Sequence, residues 1–202
     1  PWKSRIYLPH NGCVSNANTI ERYVCDGVVK EAVERFIRKP DQKQSTYCMN
    51  CPLCKHHGKP FYGGEFFTCN NCSGVYKDRR NYVDVRAERR RYEEHNNDVN
   101  DIRYQKFVSP ITTYVLANFK AYHSGLDFGC GTAPVISKVL QDNGYKIHQF
   151  DPFFANRVGL LDGTYDYVIS CEVIEHFHKP DAEFKLLKNI LKADGALICM
   201  TH

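Results

Sequence analysis

Residues 124–134 read Ser-Gly-Leu-Asp-Phe-Gly-Cys-Gly-Thr-Ala-Pro, a short apolar run that leads into a glycine-rich turn. A helical pattern at 134–143 follows directly, so the stretch predicts a strand, a loop and a helix in that order. Glycines between a strand and a helix let the backbone approach a ligand and point its amides at it. This unit indicates an α/β domain that holds a ligand where a strand ends.

The residues after this unit continue the alternation of strand and helix that a parallel sheet requires. Before it, residues 83–122 have a helical pattern that Pro110 divides in two. The predicted strands lie at 126–128, 145–150, 158–161, 165–171 and 196–200, and the predicted helices at 134–143 and at 181–192, the latter stopped by Asp194 and Gly195.

Composition excludes several classes of protein. The chain has 202 residues, of which 43% are hydrophobic and 25% charged, a balance that excludes a disordered or fibrous chain. No apolar run reaches the ~18 residues that a membrane span needs, and no signal-peptide pattern opens the sequence. The net charge of +4 permits an anionic partner without requiring one. We therefore expect a cytoplasmic protein with no membrane partner.

Two C-x2-C pairs, separated by fourteen residues, stand in a turn-rich stretch. Four thiolates at this spacing can complete a closed tetrahedral site, which predicts a structural zinc ion in a module too small to fold on apolar packing alone. The other interpretations are free or disulfide-paired thiols and a redox pair. The predicted ligands are Cys51, Cys54, Cys69 and Cys72, with Cys48, His56 and His57 as neighbouring substitutes.

Two residues of the glycine loop select its ligand. A dinucleotide fingerprint needs a small residue at position 134, where Pro134 has no amide to offer a pyrophosphate. Asp127 would also repel a pyrophosphate, whereas its carboxylate suits a cationic ligand. The loop therefore favours a ligand that carries positive charge near the end of the strand.

The stretch Leu-Asp-Phe-Gly-Cys-Gly-Thr-Ala at 126–133 resembles the first motif of the class I S-adenosylmethionine-dependent methyltransferases. Residues 165–176, which end in Glu-Val-Ile-Glu-His, resemble the fourth strand of the ubiquinone-biosynthesis-like members. The resemblance covers about residues 124–202. It implies a Rossmann-like methyltransferase sheet and S-adenosylmethionine as cofactor, with methyl transfer to a hydroxyl or carbon acceptor, a small molecule being favoured.

The resemblance also implies residue roles. Gly129 and Gly131 would lie under the methionine part of the cofactor, Asp127 near its ammonium group and Asp151 at the ribose hydroxyls. The acidic adenine contact has Asp162 as its candidate, although Asp162 followed by glycine also indicates a turn. The implied cofactor-binding residues are Asp127, Gly129, Cys130, Gly131, Asp151, Cys171 and Glu172.

Three candidate catalytic residues, Glu172, Glu175 and His176, follow the strand at 165–171 within one helical turn. They could bind a second divalent cation through two carboxylates and an imidazole. Alternatively, His176 acts on the acceptor as a base or orienting group. In the third interpretation none has a chemical role, and Glu175 complements the N-terminus of a helix.

The regions before the sheet divide into a helical segment at 1–45, the zinc-ribbon-like module at 46–80 and a helical connector or lid at 81–123. Tyr92, His95 and Asn96 share a helical face that either caps the cofactor cleft or packs on the catalytic domain. An alternative function is a zinc-dependent nucleic-acid-binding module on a catalytically idle Rossmann-like domain. Its basic residues would be Arg79, Arg80, Arg86, Arg89, Arg90 and Arg91, unless they form an ordinary solvated face.

The resemblance further leads us to expect that the chain is part of a longer polypeptide. The sheet of the family has seven strands, the last two forming a hairpin beside strand five, and the sequence ends at His202. The apolar strand at 196–200 would then be an edge that another segment or chain covers.

Overall fold

The computed structural model of the protein describes residues 49–94 and 97–201. Of these, residues 49–82 form one compact unit and those from 83 onward form the other. The predicted helical segment at 1–45, with His95 and Asn96 of the proposed cap, lies outside the described residues. No helix in the described part of the chain is long and apolar enough to cross a membrane.

The smaller unit is a four-stranded antiparallel sheet whose strands are neighbours in chain order. A 3-10 helix at Tyr62–Gly64 joins the second strand to the third, and Gly63 and Gly64 have the positive φ angles that this tight connection requires. The strands are β1 (Met49–Asn50), β2 (His57–Phe61), β3 (Phe66–Cys69) and β4 (Val75–Lys77).

The larger unit contains a parallel sheet in the order β6-β5-β7-β8, with helices before and between the strands. The mixed α/β architecture that the sequence indicates is confirmed. The elements are α1 (Val85–Glu93), α2 (Ile102–Phe107), α3 (Ser109–Asn118), β5 (Ser124–Phe128), α4 (Val135–Asp142), β6 (Lys146–Phe150), β7 (Tyr165–Cys171), α5 (Pro180–Asn189) and β8 (Leu191–Met200).

Two separate apolar clusters cover the parallel sheet. One contains Val108, Ile111 and Val115 from the helical connector, together with residues of α4. The other contains Leu126 and Phe128 of β5, together with residues of α5. Because side chains alternate along a strand, Asp127 points away from the cluster of its two neighbours and towards α4. This alternation places a carboxylate inside the fold at the end of β5.

The helical connector contains more breaks than the one predicted. Residues 97–101, before α2, are not helical, and Val108 separates α2 from α3. Pro110 lies in the first turn of α3, where its missing amide is tolerated, so the break predicted at this proline falls two residues before it. The side chain of Val108 is fully buried against the sheet.

The prediction of a strand at 158–161 is wrong. The segment Val158–Asp162 is a 3-10 helix, and Asp162 is exposed at its end. Val158 is 61% exposed, so only Leu160 and Leu161 pack against the core, and the apolar composition does not reflect burial on both faces. The hydroxyl of Tyr165 donates a hydrogen bond to the Leu160 carbonyl and holds this turn in place.

The predicted helix at 181–192 ends early, at Asn189, and the predicted stop at Asp194 and Gly195 lies inside β8. The pairing of β7 with β8 shows why. Tyr165 pairs with Leu191 and Tyr167 with Ala196, so the residues between form a bulge. Turn-forming residues are therefore accommodated within a strand.

The close contact between Gly125 of β5 and Tyr167 of β7 leads to a prediction about stability. A Cβ atom at Gly125 would lie 2.2 Å from the ring of Tyr167, which is fully buried. We expect Gly125→Ala to lower the free energy of unfolding by about 1–3 kcal/mol, as overpacking does. Urea unfolding of the two proteins measures the difference.

The matched control is Gly159→Ala, because a Cβ atom there meets no atom within 4 Å. We expect this variant to unfold at nearly the wild-type urea concentration. Equal midpoints for the Gly125 and Gly159 variants would contradict the packing that the structure shows.

Candidate functional site

A small pocket lies at the carboxyl ends of β5 and β7. Four of its residues are cofactor-binding candidates from the sequence, and Tyr104 and Val108 come from the helical connector. The sequence did not indicate either connector residue, since their helical spacing shows only which face is buried. The pocket is lined by Tyr104, Val108, Asp127, Gly129, Cys130, Ala133, Val135, Ile136 and Cys171.

The glycine loop is fixed to the end of β6 through its backbone. The amides of Gly129 and Cys130 both donate to the Phe150 carbonyl, at 2.8 and 3.2 Å. Gly129 has φ +83°, and a Cβ atom there would lie 2.4 Å from Val173, so only glycine fits. Gly131 has φ +66° and open space where its Cβ atom would be. The loop therefore leaves room beside Gly131 for a ligand to approach the backbone.

Asp151 joins the glycine loop to the turn that follows β6. One carboxylate oxygen accepts a hydrogen bond from the Gly131 amide at 3.0 Å. The other accepts from the amides of Phe153 and Phe154, at 2.8 and 3.1 Å. The side chain is buried, so these three charge-assisted bonds compensate for the water that it loses. Both loops at the edge of the pocket thus depend on one carboxylate.

Asp127 is a buried carboxylate that lines the pocket, with 3% of its surface exposed. Its Oδ2 atom accepts a hydrogen bond from the Ser137 hydroxyl of α4 at 2.7 Å. Burial raises the pKa of Asp127 to about 6, and the negative charge of Asp151 adds to this shift. A cation placed in the pocket would favour the ionised form of Asp127.

The thiols of the pocket do not have the properties of nucleophiles. Burial raises the pKa of Cys130 to about 12, and it raises the pKa of Cys171 further. Both are therefore protonated near neutral pH and act as small apolar side chains. The next residue, Glu172, has φ +54°, a left-handed conformation that is uncommon outside glycine. The chain thus turns sharply out of β7 at the pocket.

Helix α1 contacts the segments that follow β6 and β7. The ring of Tyr92 lies 6.0 Å from the ring of His176 in an edge-to-face arrangement and 6.5 Å from Phe153. The Arg89 guanidinium lies 6.0 Å from the centroid of the Phe154 ring. Burial and nearby carboxylates, first among them Glu88, raise the pKa of Tyr92 to about 12. The phenol therefore stays neutral.

The structure gives no support to the predicted second cation site. His176 turns its Nδ1 atom towards Glu88 of α1, at 3.7 Å, instead of towards Glu172 and Glu175. Glu175 is exposed on the 3-10 helix Ile174–His176. In the described part of the chain, the one cluster with metal-ligand spacing is the four-cysteine group of the smaller unit.

The four predicted cysteines of the smaller unit converge, with all Sγ atoms within 4.8 Å of one another. The Sγ atoms of Cys51 and Cys72 are 3.7 Å apart, and those of Cys54 and Cys69 are 3.3 Å apart. Zinc–sulfur bonds of about 2.3 Å place tetrahedral thiolates about 3.8 Å apart, so the cluster fits this metal. His56 is exposed and bonds to the Cys54 carbonyl instead of joining the cluster.

Comparison with known proteins identifies a family for the larger unit. A family model described as a methyltransferase domain matches residues 100–202, just over half of the chain. This range contains the parallel sheet, the glycine loop and the pocket. No protein in a curated collection matches the chain.

The environment of Asp127 predicts a pH-dependent gain in stability on its replacement. Its pKa rises from 3.8 to about 6 on folding, so ionisation opposes folding increasingly between about pH 4 and pH 6 and by a constant amount above. Asp127→Asn keeps an oxygen for the Ser137 hydroxyl. We compare the free energy of unfolding of the variant with that of the wild type at each pH. We expect this difference to favour the variant by about 1–3 kcal/mol more at pH 8 than at pH 4.

Urea unfolding at the two pH values measures this difference. Asp162→Asn, which neutralises an exposed carboxylate in the same unit, is the control for general charge effects. If Asp127→Asn changes the free energy of unfolding by the same amount at both pH values, burial does not raise the pKa of Asp127 as described.

Proposed function

Because the chain belongs to the methyltransferase-domain family, we propose that it transfers the methyl group of S-adenosylmethionine to a hydroxyl or carbon acceptor, a small molecule being favoured. The observation that carries this proposal is the glycine loop between two buried carboxylates, Asp127 and Asp151, at the ends of neighbouring parallel strands. The sheet order and the loop are those we expect of a Rossmann-like domain.

The two carboxylates suit the two ends of this cofactor. Asp127 lies in the pocket and would pair with the cationic ammonium group, which would return the carboxyl to its ionised form. An ionised carboxylate has about four acceptor positions, and three at Asp151 accept backbone amides. The remaining position would accept a ribose hydroxyl. The pocket thus offers polar groups where the cofactor requires them.

Bound S-adenosylmethionine supplies an electrophilic methyl carbon on a positively charged sulfur. The acceptor atom would form a bond to this carbon, and the electron pair of the broken carbon–sulfur bond would stay with sulfur. An acceptor that carries a proton also needs a base. His176 is the group that would take the proton, because it stands just after β7 and is half exposed. Tyr104 and Val108 would exclude water from the inner side of the pocket.

We also propose that the four-cysteine cluster holds a structural zinc ion. The buried core of the smaller unit consists of two of these cysteines with Phe67 and Tyr76, which is too little to fold a sheet by apolar burial alone. Four protein thiolates leave no coordination position for a substrate. The cluster therefore stabilises the module and takes no part in the transfer.

The alternative of a nucleic-acid-binding module receives less support, because two of its six arginines pair with carboxylates. Arg80 pairs with Asp78 at 2.6 Å, and Arg89 pairs with Glu93 at 2.9 Å while lying over Phe154. Paired charges on a helix are those of an ordinary solvated face. Nucleic acid as the acceptor stays a hypothesis.

Cofactor binding tests the proposed function through two glycines. Gly131 and Gly144 both have positive φ, and a Cβ atom at either meets nothing within 4 Å, so alanine brings similar backbone strain to both. Only Gly131 adjoins the pocket. We expect calorimetry to show S-adenosylhomocysteine binding to the wild type, at least about tenfold weaker binding to Gly131→Ala, and little change in Gly144→Ala.

Two results would contradict this proposal. A folded wild-type protein that does not bind S-adenosylhomocysteine would favour the catalytically idle alternative. Equal affinities of the two glycine variants would place the cofactor away from the loop.

Zinc content tests the second proposal. We expect one zinc ion per chain and its loss in Cys54→Ser, with unfolding of the small sheet, because metal binding and folding are coupled. His56→Ala, next to the cluster, is the control and should retain zinc. Elemental analysis gives the content, and less than half an equivalent in the wild type would contradict the proposal.

A further inference from the structure

Helix α1 brings a carboxylate to the imidazole that the proposed function assigns to the acceptor. Glu88 lies on the side of α1 that faces the segment after β7. Its side chain is only 15% exposed, although the helix is rich in charged residues. Its Oε1 atom is 3.7 Å from the Nδ1 atom of His176. The contact with His176 accounts for this low exposure of a charged side chain.

Several contacts fix the position of Glu88. The Asp84 side chain caps the start of α1 by accepting from the amides of Arg86 and Ala87. Further along, Tyr92 and Arg89 pack on Phe153 and Phe154, the turn that Asp151 holds. Glu88 and Tyr92 are four residues apart and so lie on the same side of the helix. Both reach His176 from that side.

We propose that Glu88 is a positioning residue that keeps the proton of neutral His176 on Nδ1 and thereby leaves Nε2 free to act as the base. This inference rests on the proposed function. The nitrogen that carries the proton in a neutral imidazole is decided by the hydrogen bond of the ring, and a carboxylate beside Nδ1 selects the Nδ1–H tautomer. The same carboxylate stabilises the imidazolium that forms when Nε2 accepts the acceptor proton.

The distance of 3.7 Å is slightly longer than a hydrogen bond. Contacts of this kind are often long without substrate and shorten in the complex. Tyr92 limits the other orientations of the ring, because the two rings pack edge to face with their centroids 6.0 Å apart. Helix α1 is therefore part of the catalytic site rather than a connector alone.

Nitrogen NMR of the His176 side chain in the ligand-free protein tests this proposal. At about pH 8.5, about two units above the ordinary pKa of histidine, the spectrum reports which nitrogen carries the proton. We expect Nδ1 to be protonated in the wild type and the proton to shift to Nε2 in Glu88→Ala. Glu88→Gln, which retains a carbonyl oxygen, should shift in the same direction by less.

Glu93→Ala removes the same charge from an exposed position of the same helix and should keep the wild-type tautomer. A merely structural role of Glu88 would not change which nitrogen is protonated. A wild-type ring with Nδ1 unprotonated, or a tautomer unchanged in both Glu88 variants, would overturn the proposal. The NMR experiment contains no ligand, so its result does not depend on cofactor binding. A failure to bind S-adenosylhomocysteine in calorimetry would therefore contradict the proposed function without deciding the tautomer of His176.

Discussion

The carboxylate of Asp151 is the group on which the candidate site depends. It accepts the Gly131 amide from one loop and the amides of Phe153 and Phe154 from the next. The first bond holds the glycine loop open beside the pocket. The other two hold the aromatic turn against which α1 packs, and α1 in turn carries Glu88 to His176. One buried side chain thus links the proposed cofactor site to the positioning of the proposed base.

The pocket is maintained at the expense of stability. Asp127 is buried with one side-chain hydrogen bond, and its raised pKa means that its ionised form opposes folding near neutral pH. A neutral side chain of the same shape would be more favourable for the fold. A carboxylate is useful there only if a cation compensates for its lost hydration, which is the chemistry that the proposed cofactor offers. Glu172, with its left-handed backbone beside the same pocket, adds a second strained element.

The two units of the chain are stabilised by different means. The parallel sheet has a large apolar cluster on each face, so hydrophobic burial suffices to order it. The antiparallel sheet has a minimal core around its cysteines, and its proposed zinc replaces the missing apolar area. The proposed zinc ligands and the residues of the pocket therefore belong to different units of the chain.

Local patterns determined much of this protein by themselves. The spacing of Cys51, Cys54, Cys69 and Cys72 predicted the cluster, and the run at 124–134 predicted the strand, loop and helix around Asp127 and Gly129, because short-range geometry governs both. The apolar residues from Val158 to Leu161 led to the wrong prediction of a strand, since hydrophobicity alone does not distinguish a half-exposed 3-10 turn from a buried strand. Only the tertiary structure brought Glu88 to His176 and Tyr104 into the pocket. Glu88 is far from His176 in sequence, and Tyr104 is far from the pocket residues that β5 and β7 supply. Helical periodicity shows which face of a helix is buried, but it does not identify the residues that this face contacts.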